Sequence, residues 1–309
     1  MISVVDYQNR EGFKVTDGKS EAIVVPSIGR IMSYKKVGGE NLIWNAPKGV
    51  MKMVGWNNYG GDKTWLGPQS SWPQWHGAWP PDTSIDNSPH EVEFLTGGKL
   101  RMTSPLSPTT GIRFIRTIYF DANGELVIEQ TAQKEKGPKV KGSIWNITQA
   151  IPGDAIFLPT NEDSPYENKF HTFHKGKDLQ KAETLSPKLL RVVPIPEGEG
   201  WKIGTDAPVS SLASVKDGVA FVQKTAKPKG TYPDGTIDDA GFPVELFING
   251  DKKAYYTELE LLGPLRDFSI GTKWTHTLRW SLHDMPSKDV KSKEVAEAVQ
   301  NLLLGNQQS

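Results

Sequence analysis

Glu258 and Glu260 are the residues in this sequence best suited to moving protons. They stand in residues 253–262, KAYYTELELL, where polar and apolar side chains alternate. A strand's period of two puts Tyr256, Glu258 and Glu260 on one face and Tyr255, Thr257, Leu259 and Leu261 on the other. The apolar face belongs to a core, which leaves both carboxylates on the opposite face. At roughly 3.3 Å per residue the two lie about 7 Å apart, a separation resembling that of an inverting glycosidase pair. Neighbours on one strand rarely bracket a bond from opposite sides, however. The pattern therefore argues against a hydrolytic pair, and leaves a functional role for at least one carboxylate open beside the bland reading of a solvated, ion-paired strand face.

The second chemical stretch is residues 56–82, WNNYGGDKTWLGPQSSWPQWHGAWPPD, which holds five of the ten tryptophans. Its prolines and Gly60-Gly61 predict an ordered loop without regular structure. Trp65, Trp72, Trp75 and Trp79 offer flat indole faces, and Asp62, Lys63, Gln69, His76 and Asp82 offer hydrogen bonds. Together these suit a sugar, whose C–H faces stack on aromatic rings while its hydroxyls need polar partners. A structural plug of indoles over one end of the core is the competing reading. His76 is a candidate acid or hydrogen-bond donor, or else a surface histidine. Lys63 beside Asp62 would orient hydroxyls or a carboxylate, or else form an internal ion pair. His171 and His174, near Glu162, Asp163 and Glu167, have metal-ligand spacing only in a weak form and read as a surface loop. No metal or cofactor is expected. Trp145 is a further candidate by position, and Tyr232 to Gly235 reads as a turn bordering the pocket.

Composition narrows the classes. Lysine plus arginine equals aspartate plus glutamate at 36 each, so nothing electrostatic argues for nucleic acid or an anionic membrane. The absence of cysteine excludes disulfides, thiol nucleophiles and thiolate metal sites. No run approaches a membrane span. The start of the sequence lacks the basic and apolar regions of a signal peptide, and cytoplasmic and exported locations both stay open. No phosphate-binding glycine loop, nucleophile elbow or dinucleotide fingerprint stands in a strand–helix context.

The elements that must position these residues read as β almost throughout. Runs at 22–25, 30–37, 42–44, 92–95, 100–103, 112–120, 125–131, 143–151, 155–158, 190–193, 201–203, 212–215, 219–223, 243–249, 253–262 and 274–283 are separated by Gly, Asn and Pro signals. Residues 159–187 and 227–241 read as long excursions. Only the tail is helical, at about 288–304, with Val295, Val299 and Leu302 as its apolar stripe and Gly305 as its stop. The expectation is one all-β domain over residues 1–309, a large sandwich of antiparallel sheets with a C-terminal helix.

Several segments resemble the galactose mutarotase-like superfamily, whose fold is a β-supersandwich. The early one runs Ala22-Ile23-Val24-Val25-Pro26, then Ile28-Gly29-Arg30-Ile31, then Asn41-Leu42-Ile43-Trp44. The late one runs Glu245-Leu246-Phe247, residues 255–261, Gly263-Pro264-Leu265, Gly271 and residues 274–280. The motif Tyr59 to Gln69 followed by Trp72-Pro73 is similar to a YGGxKxWxxPQ pattern in a bacterial branch for which the resemblance implies no assigned function. The wider superfamily resemblance implies an aldose 1-epimerase-type activity: a glutamate base takes the anomeric proton while an acid protonates the ring oxygen. Glu260 or Glu258 inherits the base by position, with a loop histidine or Lys63 as acid or orienting group. Glu245 and Asn146 join the sugar-binding set. The segment 143–148, where mutarotases carry an Asn-His pair, has Asn146 but no histidine. A non-catalytic carbohydrate-binding protein is the alternative this leaves, and a polysaccharide lyase or glycoside hydrolase the third.

Overall fold

Strands run along nearly the whole chain; some, such as Lys99–Thr103, alternate between more and less buried side chains, and others, such as Ala155–Pro159, are buried at every position. The computed structural model describes residues 1–50, 52–173, 181–196, 200–237 and 241–305; His174 lies outside them. Among the described residues two large antiparallel sheets, of eleven and ten strands, make up the body. The chain divides into two compact units, residues 1–147 with 265–279 and residues 148–264 with 280–309.

In the first unit, Ile2–Asp6, Glu11–Thr16, Ser20–Val25, Arg30–Lys36, Asp62–Gly67 and the start of Val140–Ala150 follow one another in one sheet. Leu126–Lys134, Ile112–Phe120, Lys99–Thr103 and Glu91–Leu95 follow one another in the other. The hairpin between Ile112–Phe120 and Leu126–Lys134 pairs in continuous register from Phe120–Leu126 to Ile112–Lys134. Its turn, Asp121 to Gly124, has the Asp Oδ1 acceptor and the positive-φ glycine that such turns need.

Two expectations in this unit need correction. Residues 56–82 are not free of regular structure: Asp62–Gly67 is a strand buried at every position. The glycines that punctuate the segment serve it, because a Cβ at Gly60 would meet the Trp44 carbonyl at 2.3 Å and both Gly60 and Gly61 have positive φ. Conversely, residues 42–44 form no strand, only a single bridge at Ile43. Asn41 and Asn45 each donate from Nδ2 to the Met32 and Ile43 carbonyls, so side-chain amides take up acceptors a ladder would have used.

In the second unit, Tyr256–Leu262, Val244–Asn249, Trp201–Thr205 and His171–Thr172 lie in one sheet in that order. Lys181–Ser186, Leu189–Val193, Ala155–Pro159, Ser210–Lys216 and Val219–Thr225 lie in the other. The C-terminal helix is Lys293–Leu304, shorter at its start than expected because Ser292 caps it, its side chain accepting from the Val295 N–H. Val295, Val299 and Leu303 are its fully buried residues, with Leu302 only flanking them. They pack on Ala155, Phe157, Leu189, Ala213, Val215, Ala220 and Val222. Leu303→Ala is expected to destabilise by about 2–5 kcal/mol, read as a lowered urea midpoint at unchanged slope.

Candidate functional site

The register of the second unit collects charge on one sheet face. His171 pairs with Gly204, Gly204 with Glu245, and Glu245 with Glu260, so these four stand in one row across four strands. The next row is Lys202, Phe247 and Glu258. Paired residues share a face, so His171, Lys202, Glu245, Glu258 and Glu260 all project to the same side. The apolar complement, Leu246, Leu259 and Leu261, is buried behind them as the period of two requires.

Lys202 binds the row together. Its Nζ lies 2.6 Å from Glu245 Oε2 and 3.0 Å from Glu260 Oε2. Burial opposes the Lys202 charge, but the two carboxylates more than offset it and the ammonium is held above its ordinary pKa. One ammonium cannot neutralise three carboxylates. Burial first, and then the charges of Glu245 and Glu258, push the Glu260 carboxyl well above its usual range, with Lys202 opposing. Glu260 is therefore the carboxyl of this cluster disposed to hold a proton. Glu258 is only half-buried and accepts from Gln149 Nε2 at 2.8 Å. Glu245, in contrast, is buried to 1% exposure, and its Oε1 has no hydrogen-bond partner among the described residues.

Aromatic rings flank this row. His171 stacks on Phe242 at 5.5 Å with planes 9° apart, and Phe173 and Tyr166 stand 5.4 and 5.2 Å from the same Phe242 ring. The Phe242 ring occupies the space over Gly204, where a Cβ would meet its Cγ at 2.5 Å. The sequence reading placed His171 in a surface loop; it is half-buried in a short strand instead. Burial lowers its pKa, with Glu245 opposing, so it favours the neutral imidazole at pH 7.

The tryptophan segment is organised by a residue the sequence reading missed, Asp86. The indole N–H groups of Trp56 and Trp65 each donate to its carboxylate at 2.6 Å, and Arg30 lies 2.7 Å away. Burial would raise the Asp86 pKa, but Arg30, Lys63 and the two indoles reverse this and hold it low. Lys63 is itself buried, its Nζ 4.7 Å from the Trp65 ring centroid. It is an internal cation packed against the Trp65 ring.

Most of the indoles are packed against one another. Trp65, Trp72 and Trp145 are buried, with Trp65 edge-on to both others at 5.3 and 5.4 Å. Trp72 donates to the Leu66 carbonyl at 2.8 Å. These three lie inside the unit; Trp79, 43% exposed and edge-on to Trp56, is the exposed indole among the described residues. Trp75 is half-buried against the cluster of Leu66, Ile85 and Phe114. The crevice lined by Trp65, Trp72, Trp75, His76 and Asp82 has a volume of ≈ 10 Å³, room for about one water and not for a sugar ring. Burial lowers the His76 pKa, with Asp82 opposing. Asp82 caps the helical turn Thr83–Asp86 by accepting from the Ser84 N–H, and Gln69 is exposed.

Asp62 and Asn146 are also placed inside. The strand's alternation turns Asp62 and Thr64 away from Lys63 and Trp65, toward the other sheet of the unit. There Asp62 pairs with Arg116 and accepts from Asn146 Nδ2 at 2.8 Å, while Thr64 bonds Gln130. Both partners of this ion pair are buried, so the Asp62 carboxylate is engaged inside by Arg116 and Asn146.

His90 gives this unit a pH dependence. It is buried, its ring against Gly29 and its Nδ1 3.0 Å from the Ser88 carbonyl. Burial above all, aided by Arg116 and Arg30, holds its pKa at about 4 against 6.5, with Ser88 and Asp86 opposing. The folded state thus excludes a proton the unfolded chain accepts below pH 6.5. Stability is complete above that pH and is lost on acidification toward pH 4, by about 3 kcal/mol. Urea unfolding at pH 7 and pH 4.5 checks this: His90→Gln should flatten the difference between them.

No protein-family model matches the chain, and no curated protein matches its sequence. Solved structures do. A galactose mutarotase-like protein from Lactobacillus casei aligns with 88% of this chain and 100% of its own, at 12% identity and TM-score 0.54. A proposed aldose 1-epimerase from Escherichia coli K12 aligns with 92% of this chain and 100% of its own, at 8% identity and TM-score 0.60. A TPR-domain containing protein from Parabacteroides distasonis aligns with 92% of this chain at 13% identity and TM-score 0.57. This chain spans about half of that protein's length, 49%. What the three share with this chain is architecture: it has the fold of the galactose mutarotase-like protein from Lactobacillus casei.

Proposed function

We propose that this protein is a carbohydrate-active protein whose chemistry lies on the Lys202–Glu245–Glu258–Glu260 face, and that it interconverts the anomers of a free aldose. The observation that carries this reading is the pair of neighbouring glutamates in unlike environments, one half-exposed and one buried with a raised pKa. Unlike environments are how carboxylates divide acid and base roles. Glu258 takes the proton of the anomeric hydroxyl, and the proton held by Glu260 passes to the ring oxygen as the bond from that oxygen to the anomeric carbon breaks. Rotation about the bond to the next carbon and the reverse steps close the other anomer and return both protons, so no cofactor is consumed. Gln149 fixes Glu258, and Lys202 fixes Glu260. The names carried by the Lactobacillus casei and Escherichia coli structures agree with this class of chemistry.

A second reading, sugar binding without turnover, is favoured by one observation. Lys202 already bridges Glu245 and Glu260, as a purely structural ion cluster would. The two separate in an exchange NMR experiment on free aldoses. Interconversion at a rate proportional to protein supports the enzyme, whereas line broadening on binding without faster exchange supports the binding protein.

A further inference from the structure

A cavity of ≈ 600 Å³ opens in the first unit, within the range of about 300–1,000 Å³ common to small-molecule sites. Arg10, Lys48 and Lys52 line it, and among the described residues no aspartate or glutamate does. A concave wall with cations of one sign and no carboxylates concentrates anions. Its remaining polar groups are largely amides and a phenol, among them Asn57, Asn58 and Tyr59. Amides both donate and accept, which suits hydroxyl groups. Ile28 and Met32, both buried, supply an apolar floor.

Arg10 is held in place rather than swinging free. Its guanidinium sits 5.3 Å from the Tyr59 ring centroid, and stacking of this kind leaves the N–H edges for a planar oxyanion. The turn before it is closed by Tyr7 and Arg10, which exchange backbone hydrogen bonds of 2.8 and 3.1 Å. Gln8 and Asn9 both adopt positive φ there, 53° and 61°, the geometry of a two-residue hairpin loop. Gln8 is an unfavourable residue for that conformation. Its Nε2 donates to Asn45 Oδ1 at 3.3 Å, and the Tyr7 hydroxyl reaches the same oxygen at 3.0 Å. The turn is thus tied to the cavity wall.

We infer that this cavity binds an anionic, polyhydroxylated small molecule of the sugar-acid class. The ligand's carboxylate meets Arg10, its hydroxyls meet Asn57 and Asn58, and Lys48 and Lys52 supply the attracting field. Calorimetric titration with galacturonate, galactose and inorganic phosphate tests this on the full chain. Galacturonate should bind, galactose should bind at least about tenfold more weakly, and raised salt should weaken galacturonate. Arg10→Met should cost at least about tenfold in galacturonate affinity. The double variant Lys48→Gln/Lys52→Gln changes only exposed side chains and should reduce both affinity and salt dependence. Glu258→Gln should leave this binding intact, which separates the site from the proposed sugar chemistry. Equal affinity for galactose, phosphate binding as tightly as galacturonate, or full affinity in the Arg10 and lysine variants would each overturn the assignment.

Discussion

Asp86→Ala is expected to destabilise the protein by about 3–5 kcal/mol. The carboxylate is fully buried and serves four partners at once: Arg30, Trp56, Trp65 and Asn87. Removing it strands the Arg30 and Lys63 charges in a place water does not reach and leaves two indole N–H groups without an acceptor. These losses are not additive, because all of them arise from one site. Asp86→Asn separates charge from shape: the amide oxygen still accepts an indole N–H, but the cations lose their counter-charge, and most of the loss should remain. Urea unfolding followed by tryptophan fluorescence measures it, since two of the affected indoles report directly. A change below about 1 kcal/mol for Asp86→Ala would mean that the indole cluster holds itself together without the ion.

Glu258→Gln is expected to lower the rate of anomer interconversion by about 10²–10⁴ while sugar affinity changes little. The amide keeps the shape and a hydrogen-bonding oxygen beside Gln149 but cannot take a proton. Glu260→Gln should also slow the reaction, because the proton for the ring oxygen is gone. The wild-type rate should fall as pH rises through the Glu260 pKa, since a carboxyl with a raised pKa is the acid only below that value. Wild-type kinetics in both single variants would remove both assignments.

The β content, most strand positions and the terminal helix were legible in the sequence because they rest on local period and turn chemistry. So was the shared face of Glu258 and Glu260, which needs only the alternation along residues 253–262. What surrounds that face was not legible. Lys202 lies far from Glu260 in sequence, and only strand pairing through Val244–Asn249 brings them together. The same alternation in Trp201–Thr205 marks Lys202 as a cation amid buried neighbours, and that was the available signal. The tryptophan segment misled for a physical reason. Gly and Pro are shared by open loops and by tightly buried crossings, and the side chain that tells them apart, Asp86, lies just beyond the segment. Asp62, read from its polar setting, and Asn146, read from the resemblance, meet inside, where the Asp62 carboxylate takes up Arg116 and the Asn146 amide.

A Glu260 carboxyl that holds its proton well above the ordinary carboxylate range is the central claim, and carboxyl ¹³C NMR titration of labelled glutamates measures it most directly. The Glu260 resonance should titrate well above the ordinary carboxylate range and should move down in Glu258→Gln, where a neighbouring like charge has been removed. A Glu260 that titrates in the ordinary range, and is unmoved by Glu258→Gln, would contradict the division of acid and base between them.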